Sequence, residues 1–164
     1  MAFEVNTYSP SEVLLEVSEY QITGFDKISV KKNSPAFTMV KGIRGKNSRY
    51  RNKDTSCTVT VDIIQTSIVN DVLNQVLQED LRTNSARLTL SLTDQLGSSK
   101  IVSRECFIED YPEMIYSGEI GFRRWNIICL STDLFRVGGN SKLSSSAFDT
   151  DYASRSERFL PDNF

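Results

Sequence analysis

Residues Thr55–Leu77, TSCTVTVDIIQTSIVNDVLNQVL, change hydrophobic period partway along. From Ser56 to Ile64 the residues alternate, with Ser56, Thr58, Thr60 and Asp62 on one face and Cys57, Val59, Val61 and Ile63 on the other. Such alternation marks a half-buried strand. After Thr66-Ser67 the apolar residues fall at 69, 72, 73, 76 and 77, which is helical spacing. The chain therefore passes from a strand with a hydroxyl face into an amphipathic helix. Neither a phosphate loop nor a catalytic side chain stands at the join.

Working outward, Ser67 is the expected N-cap of a helix over Ile68–Leu81. Val69, Val72, Leu73, Val76, Leu77 and Leu81 form its packing stripe, leaving Asn74, Gln78 and Glu79 to solvent. Upstream, Val13–Ser18, Phe25–Lys31 and Ala36–Lys41 read as strands, with a turn signal at Asn33-Ser34-Pro35. Downstream, Arg87–Thr93 alternates with Leu88, Leu90 and Leu92 inward, and the turn DQLG leads into Ser99–Ile108 as a hairpin. Asp110-Tyr111-Pro112 breaks that run, and Gly118–Ser131 is a long closing strand. Strands, one helix, then strands predict an α+β chain, mainly antiparallel β: a sandwich or barrel with one flanking helix.

Composition limits the chemistry. At 164 residues the chain is one domain by length, large enough for a core without staples. A net charge of −2 speaks against a general nucleic-acid binder. No segment approaches the roughly 20 apolar residues of a membrane span. The N-terminal MAFEVNTYSPSEVLLEV carries acids where a secretory signal carries bases, which points to a cytoplasmic start. Histidine is absent, removing the commonest general base and metal ligand. Cys57, Cys106 and Cys129 lie in apolar runs without a CxxC pair and read as small buried hydrophobes. Their odd number leaves room for a disulfide, including one between subunits. The acidic pair Glu109-Asp110 reads as surface carboxylates at a strand end. No catalytic site, metal site or cofactor is expected.

Two features remain for function. The run IRGKNSRYRNKD has no apolar period beyond Ile43. Lys41, Arg44, Lys46, Arg49, Arg51 and Lys53 face only Asp54, and Tyr50 is the one aromatic. It reads as a long hairpin or a flexible loop. Without GxxxxGK[ST] spacing or a following helix it is no phosphate cradle, and one aromatic is too few for a single-strand groove. The second feature is a pair of polar rows, Ser56/Thr58/Thr60/Asp62 and Arg87/Thr89/Ser91/Thr93. These either face solvent or line a water-filled passage closed by several subunits. Beyond the hinge Gly138-Gly139-Asn140, a Ser-, Asp- and Arg-rich extension spaces Phe148, Tyr152, Phe159, Leu160 and Phe164 as anchors in an otherwise disordered composition.

The order of motifs resembles the tail tube proteins of tailed bacteriophages, mainly contractile-tailed ones, over about Ile22 to Asn140. The carriers are TGFDKISVKK, AFTMVKGIRGKNSRYRNKDTSCTVTVDIIQTSIVNDVL, RECFIED and GFRRWNIICLSTDLFRVGGN. In that family a segment resembling V-G-x-x-G-x-x-x-R leads to a polar strand, and Q-T-S-x-x-N-D-x-L opens the helix. Here these are Val40–Arg49, with Lys41 inserted before Gly42, and Gln65–Leu73. The resemblance implies a structural virion protein, not an enzyme. Its subunits form hexameric rings stacked into a helical tube, with strands closing a β-barrel around a channel for genome ejection.

On that footing 1–12 is an N-terminal arm, 13–137 the tube domain, 41–54 a basic assembly loop and 138–164 a C-terminal extension. Lys41, Arg44, Lys46, Arg49, Tyr50, Arg51, Lys53, Phe148, Tyr152 and Phe159 become candidate intersubunit contacts, and Ser56, Thr58, Thr60 and Asp62 candidate lumen residues. The implied partners are further copies of the chain, sheath, baseplate or tail-tip and terminator proteins, with DNA passing without specific binding and no membrane. The implied location is the phage tail, assembled in the host cytoplasm. The competing readings are a monomeric β-barrel module for a small ligand or carbohydrate, and the tube protein of a bacterial injection or secretion machine.

Overall fold

In the computed structural model, residues 7–85 and 87–139 are described. A 3-10 turn, Pro10–Glu12, precedes β1 (Val13–Val17), β2 (Tyr20–Ile22), β3 (Phe25–Lys32), β4 (Phe37–Lys41), β5 (Asn47–Arg51) and β6 (Cys57–Ile64). Helix α1 (Val69–Thr83) follows, then β7 (Leu88–Asp94), β8 (Lys100–Ile108), β9 (Phe122–Ser131) and β10 (Leu134–Arg136). All strand pairs are antiparallel, and the main sheet runs β2-β1-β7-β8-β9-β6-β3 with β10 beside β8. Strands β4 and β5 form a separate two-stranded sheet.

The alternation of the opening stretch sets the core. Cys57, Val59, Val61 and Ile63 are fully buried, and across the ladder they meet Cys129, Ile127, Trp125 and Arg123. The sheet is sandwich-like and does not close into a barrel. Its β3 edge faces β7 and β8 across a cavity of about 370 Å³ lined by Phe25, Ile28 and Val30 on one side and Leu92 and Ile101 on the other. Helix α1 packs Val69, Leu73 and Leu77 into the same core.

The join is built from polar side chains. The Val69 N–H donates to Ser67 Oγ at 3.2 Å, so Ser67 caps the helical turn even though regular α geometry begins two residues later. Asn70 Nδ2 donates back to the Ile64 carbonyl at 2.9 Å, and its Oδ1 accepts the Trp125 indole N–H at 3.0 Å. This one amide ties strand end, helix start and the largest core side chain together. The helix ends on Asn84 in the left-handed region (φ 53°), its N–H bonded to the Asp80 carbonyl.

Several expectations need correction. Leu81 is exposed, so the packing stripe stops at Leu77. The long strand β9 begins at Phe122, not Gly118, because its ladder partner β6 ends at Ile64 opposite Phe122 and then turns into the helix. Strand β2 was not expected: it returns on β1 through Ser18 and Glu19, both at positive φ (49° and 69°). Gly138-Gly139 is no free hinge. Ser98 N–H donates to the Gly139 carbonyl, and a Cβ on Gly138 would stand 1.8 Å from Ser98 Oγ.

Candidate assembly surfaces

Thr58, Thr60 and Asp62 lie together on the face of β6 opposite the core, half-buried between β3 and β9. Thr60 Oγ1 donates to Asn126 Oδ1 at 3.0 Å. Asp62 is held by Arg124, which donates from Nε at 2.9 Å and from Nη2 at 3.2 Å. The hydrogen bond and then the charge of Asp62 raise the Arg124 pKa further. The register also brings Lys27 opposite Asp62, Ser29 opposite Thr60 and Lys31 opposite Thr58. The face is thus hydroxyl-rich but mixed in charge: its acid is engaged, and β3 and β9 add three cations. Ser56 precedes β6, and its Oγ accepts from Asn33 Nδ2. It belongs as much to the base of the β4–β5 hairpin as to this row.

The basic run is a hairpin, not a flexible loop. Five registered pairs join β4 to β5, from Phe37↔Arg51 to Lys41↔Asn47. Gly42–Lys46 make the turn, with Gly45 at φ +79°. Pairing puts Phe37, Met39, Lys41, Arg49 and Arg51 on one face, and Val40 and Tyr50 on the other. Arg49 stacks 4.4 Å from the Phe37 ring centre. No hairpin side chain is buried, and Ile43 at the tip is fully exposed. Arg44, Lys46 and Lys53 lie in the flanking turn and exit, all exposed.

Asp54 closes the base of the hairpin. Its carboxylate accepts from Ser34 Oγ at 2.7 Å and from the Ser56 N–H at 2.9 Å. These bonds, Ser34 first, pull its pKa down to about 2. Phe148, Tyr152 and Phe159 lie outside the described residues. Arg87 stands before β7 and lines a cleft beside Glu79 and Thr83 of α1, apart from Thr89, Ser91 and Thr93 on the strand.

Sequence reading passed over the connection from β8 to β9. Tyr111, Met114, Ile115, Tyr116, Ile120 and Phe122 are all exposed there. The segment is nonetheless anchored. Gln65 N–H donates to the Gly121 carbonyl, Gly121 N–H donates to Gln65 Oε1, and Arg123 donates to Tyr116 Oη while lying 5.3 Å from its ring centre. Its only signal in sequence is an aperiodic apolar run within a loop. The three thiols are buried and free, with Cys106 and Cys57 both registered against Cys129. Cys106 and Cys129 sulfurs lie 3.2 Å apart. Hydrogen bonding to Cys106, then to Cys57, and burial push the Cys129 pKa up. Among the described residues, no group of His, Cys, Asp and Glu is arranged to hold a metal ion, and no helix is long and apolar enough to cross a membrane.

The chain superposes on the sheath/tube terminator of the PVC extracellular contractile injection system in its extended state, with a TM-score of 0.52 at 13% identity, covering 83% of this chain and 100% of that one. The tube-terminating cap of the anti-feeding prophage gives a TM-score of 0.52 at 11% identity, covering 83% and 95%. A chain of the PVC sheath–tube complex gives 0.51 at 11%, covering 80% and 93%. At such identities the likeness is one of fold.

In sequence, the chain is 29% identical over 161 residues to the structural protein ORF10 of Pseudomonas phage KPP10, covering 92% of each. No protein-family model matches the chain. The relative is a structural protein rather than an enzyme, in agreement with the non-catalytic expectation.

Proposed function

We propose that the chain is a structural subunit of a phage tail, polymerising as stacked hexameric rings into the tube through which the genome leaves. One observation carries this: the β4–β5 hairpin is an ordered, basic two-stranded sheet with no core of its own. An isolated hairpin of this kind is marginal in water, so a partner surface is needed to hold it. The main sheet supports the same reading, since among the described residues β2 and β3 each leave one edge unpaired. Joining β3 of one copy to β2 of the next continues the sheet around a ring and removes both edges.

In the ring, Thr58, Thr60 and the Asp62–Arg124 pair face the channel, with Ser56 at its rim. Pairing neutralises the arginine, which otherwise would hold phosphates by counterion release, and leaves Lys27 and Lys31 of β3 as the remaining cations of this face. Residues 1–12, 41–54 and 138–164 serve contacts between copies and with sheath, baseplate or tail-tip proteins. The subunit assembles in the host cytoplasm and ends in the virion. A second reading is favoured by the fold neighbours: a terminator that closes the tube as one ring.

Negative-stain microscopy of the purified chain separates these. Tubes with a central hole support the tube subunit, and single rings that never lengthen support the terminator. A chain that stays monomeric at high concentration, even with tail-tip nucleators, removes both and leaves the monomeric binding module. Reversing Arg44, Arg49 and Arg51 to Glu is expected to abolish polymerisation while the melting temperature stays put, since exposed substitutions usually move stability by no more than about 0.5 kcal/mol.

A further inference from the structure

Among the described residues, the hairpin and the connection from β8 to β9 are exposed surfaces of opposite charge. Residues 109–122, EDYPEMIYSGEIGF, carry Glu109, Asp110, Glu113 and Glu119 and no base. The hairpin and its exit, 37–53, carry six bases and no acid. Both are apolar as well. Met114, Ile115 and Tyr116 are 67%, 61% and 73% exposed, and Met39 and Tyr50 are 66% and 54% exposed. Exposed apolar side chains in a contiguous, charge-rimmed patch mark an interaction surface.

The 109–122 segment is also held in shape before any partner arrives. Arg123 fixes Tyr116, Gln65 fixes Gly121, and Asp110 Oδ1 accepts the Tyr111 N–H at 2.7 Å. Between it and the start of α1 runs a groove of about 470 Å³ lined by Trp125, Asn70, Tyr111 and Met114, with Asp71 and Arg123 as its charged side chains. A preformed groove beside apolar side chains, along a segment whose own charges are all acidic, suits an apolar, basic, rigid element, and Ile43 at the hairpin tip is fully exposed.

We infer that the 109–122 segment is the receptor for the β4–β5 hairpin of a second copy of this chain. The inference rests on the self-assembly proposed above and adds the receiving surface. Donor and receptor are different patches, so the contact is heterologous and repeats without closing on itself within a pair, as a stacked tube requires.

Charge exchange tests the pairing in the full-length chain. One variant carries Arg44→Glu, Arg49→Glu and Arg51→Glu; the other carries Glu113→Lys and Glu119→Lys. Each alone brings one of the two surfaces to zero net charge and so removes their complementarity, and sedimentable tubes should fall at least about tenfold. Mixed in equal amounts, the exchanged positions of one variant meet those of the other with opposite sign, each native surface meets its native counterpart, and tubes should return. A Met114→Ser/Ile115→Ser chain probes the same surface without changing charge and should also assemble poorly.

If the Glu113/Glu119 variant assembles like the native chain, the receptor assignment is overturned. The same follows if the mixture stays dispersed while both variants melt like the native protein; in either case the hairpin can still act on another surface. If the native chain never assembles, the self-assembly reading falls first and the pairing with it.

Discussion

Two hairpins of this chain share antiparallel pairing and short turns, yet only one belongs to the core. In β7–β8, Leu88, Leu90, Ile101, Cys106 and Ile108 are buried, and β1 and β9 extend the ladder on both sides. In β4–β5 nothing is buried, and among the described residues nothing extends the ladder. A fully buried aliphatic side chain contributes about 1.5–3 kcal/mol, so the first hairpin is held by the chain's own folding. The second keeps its apolar and basic side chains available for another molecule. Folding and assembly are thereby assigned to different residues, and substitutions should separate them.

The largest loss of stability is expected at Trp125, which is 2% exposed and donates its indole N–H to Asn70. Trp125→Ala should lower unfolding free energy by about 3–5 kcal/mol in denaturant titration. A loss below about 1 kcal/mol would show that the core does not depend on this side chain. Next comes Asn70→Ala, which strands the Trp125 indole N–H and leaves the Ile64 carbonyl with the Ser67 N–H alone of its two donors. Its expected cost is about 1–3 kcal/mol. A near-neutral result would mean that water replaces the amide at the join.

Asp62→Asn, on the outer face, should move the melting temperature by no more than about 2–4 °C, because its partner Arg124 remains largely in solvent. A larger shift would place the pair on the folding side of the division rather than on the proposed channel.

Much of the folding half was legible from residue order. Strand β6 and helix α1 were readable because hydrophobic period is a local quantity, and each keeps one period for eight or more residues. Strand β2 was not, because its turn uses Ser18 and Glu19 at positive φ where Gly or Asn would have signalled it. Strand β10 is three residues long and exists only as a neighbour of β8. For the candidate surfaces, the basic run was visible as charge. The Arg124 grip on Asp62, spanning distant strands, and the ordered 109–122 segment depend on tertiary placement that no local period encodes. Arg87 was grouped with Thr89 by alternation, but the strand starts one residue later and Arg87 turns toward the helix.

The smallest effect on global stability, and the sharpest on the division, is expected at Asp54. Its carboxylate joins Ser34 on the entering strand side to Ser56 on the leaving side, so it clasps the hairpin base without touching the core. Its pKa falls from 3.8 to about 2. A depressed carboxylate pKa contributes stability that is present above the unfolded value and lost as pH falls through the folded value. The clasp should therefore hold above pH 3.8 and open progressively toward pH 2. Amide exchange read by NMR should show Ser56 N–H losing protection across that window, with Val61 N–H in β6 following only global unfolding. Asp54→Ala should expose the Ser56 amide at neutral pH while leaving the melting temperature nearly unchanged. If Ser56 and Val61 lose protection together in that variant, the hairpin is not energetically separate from the core. The division between residues that fold the chain and residues that assemble it would then have to be redrawn at the hairpin base.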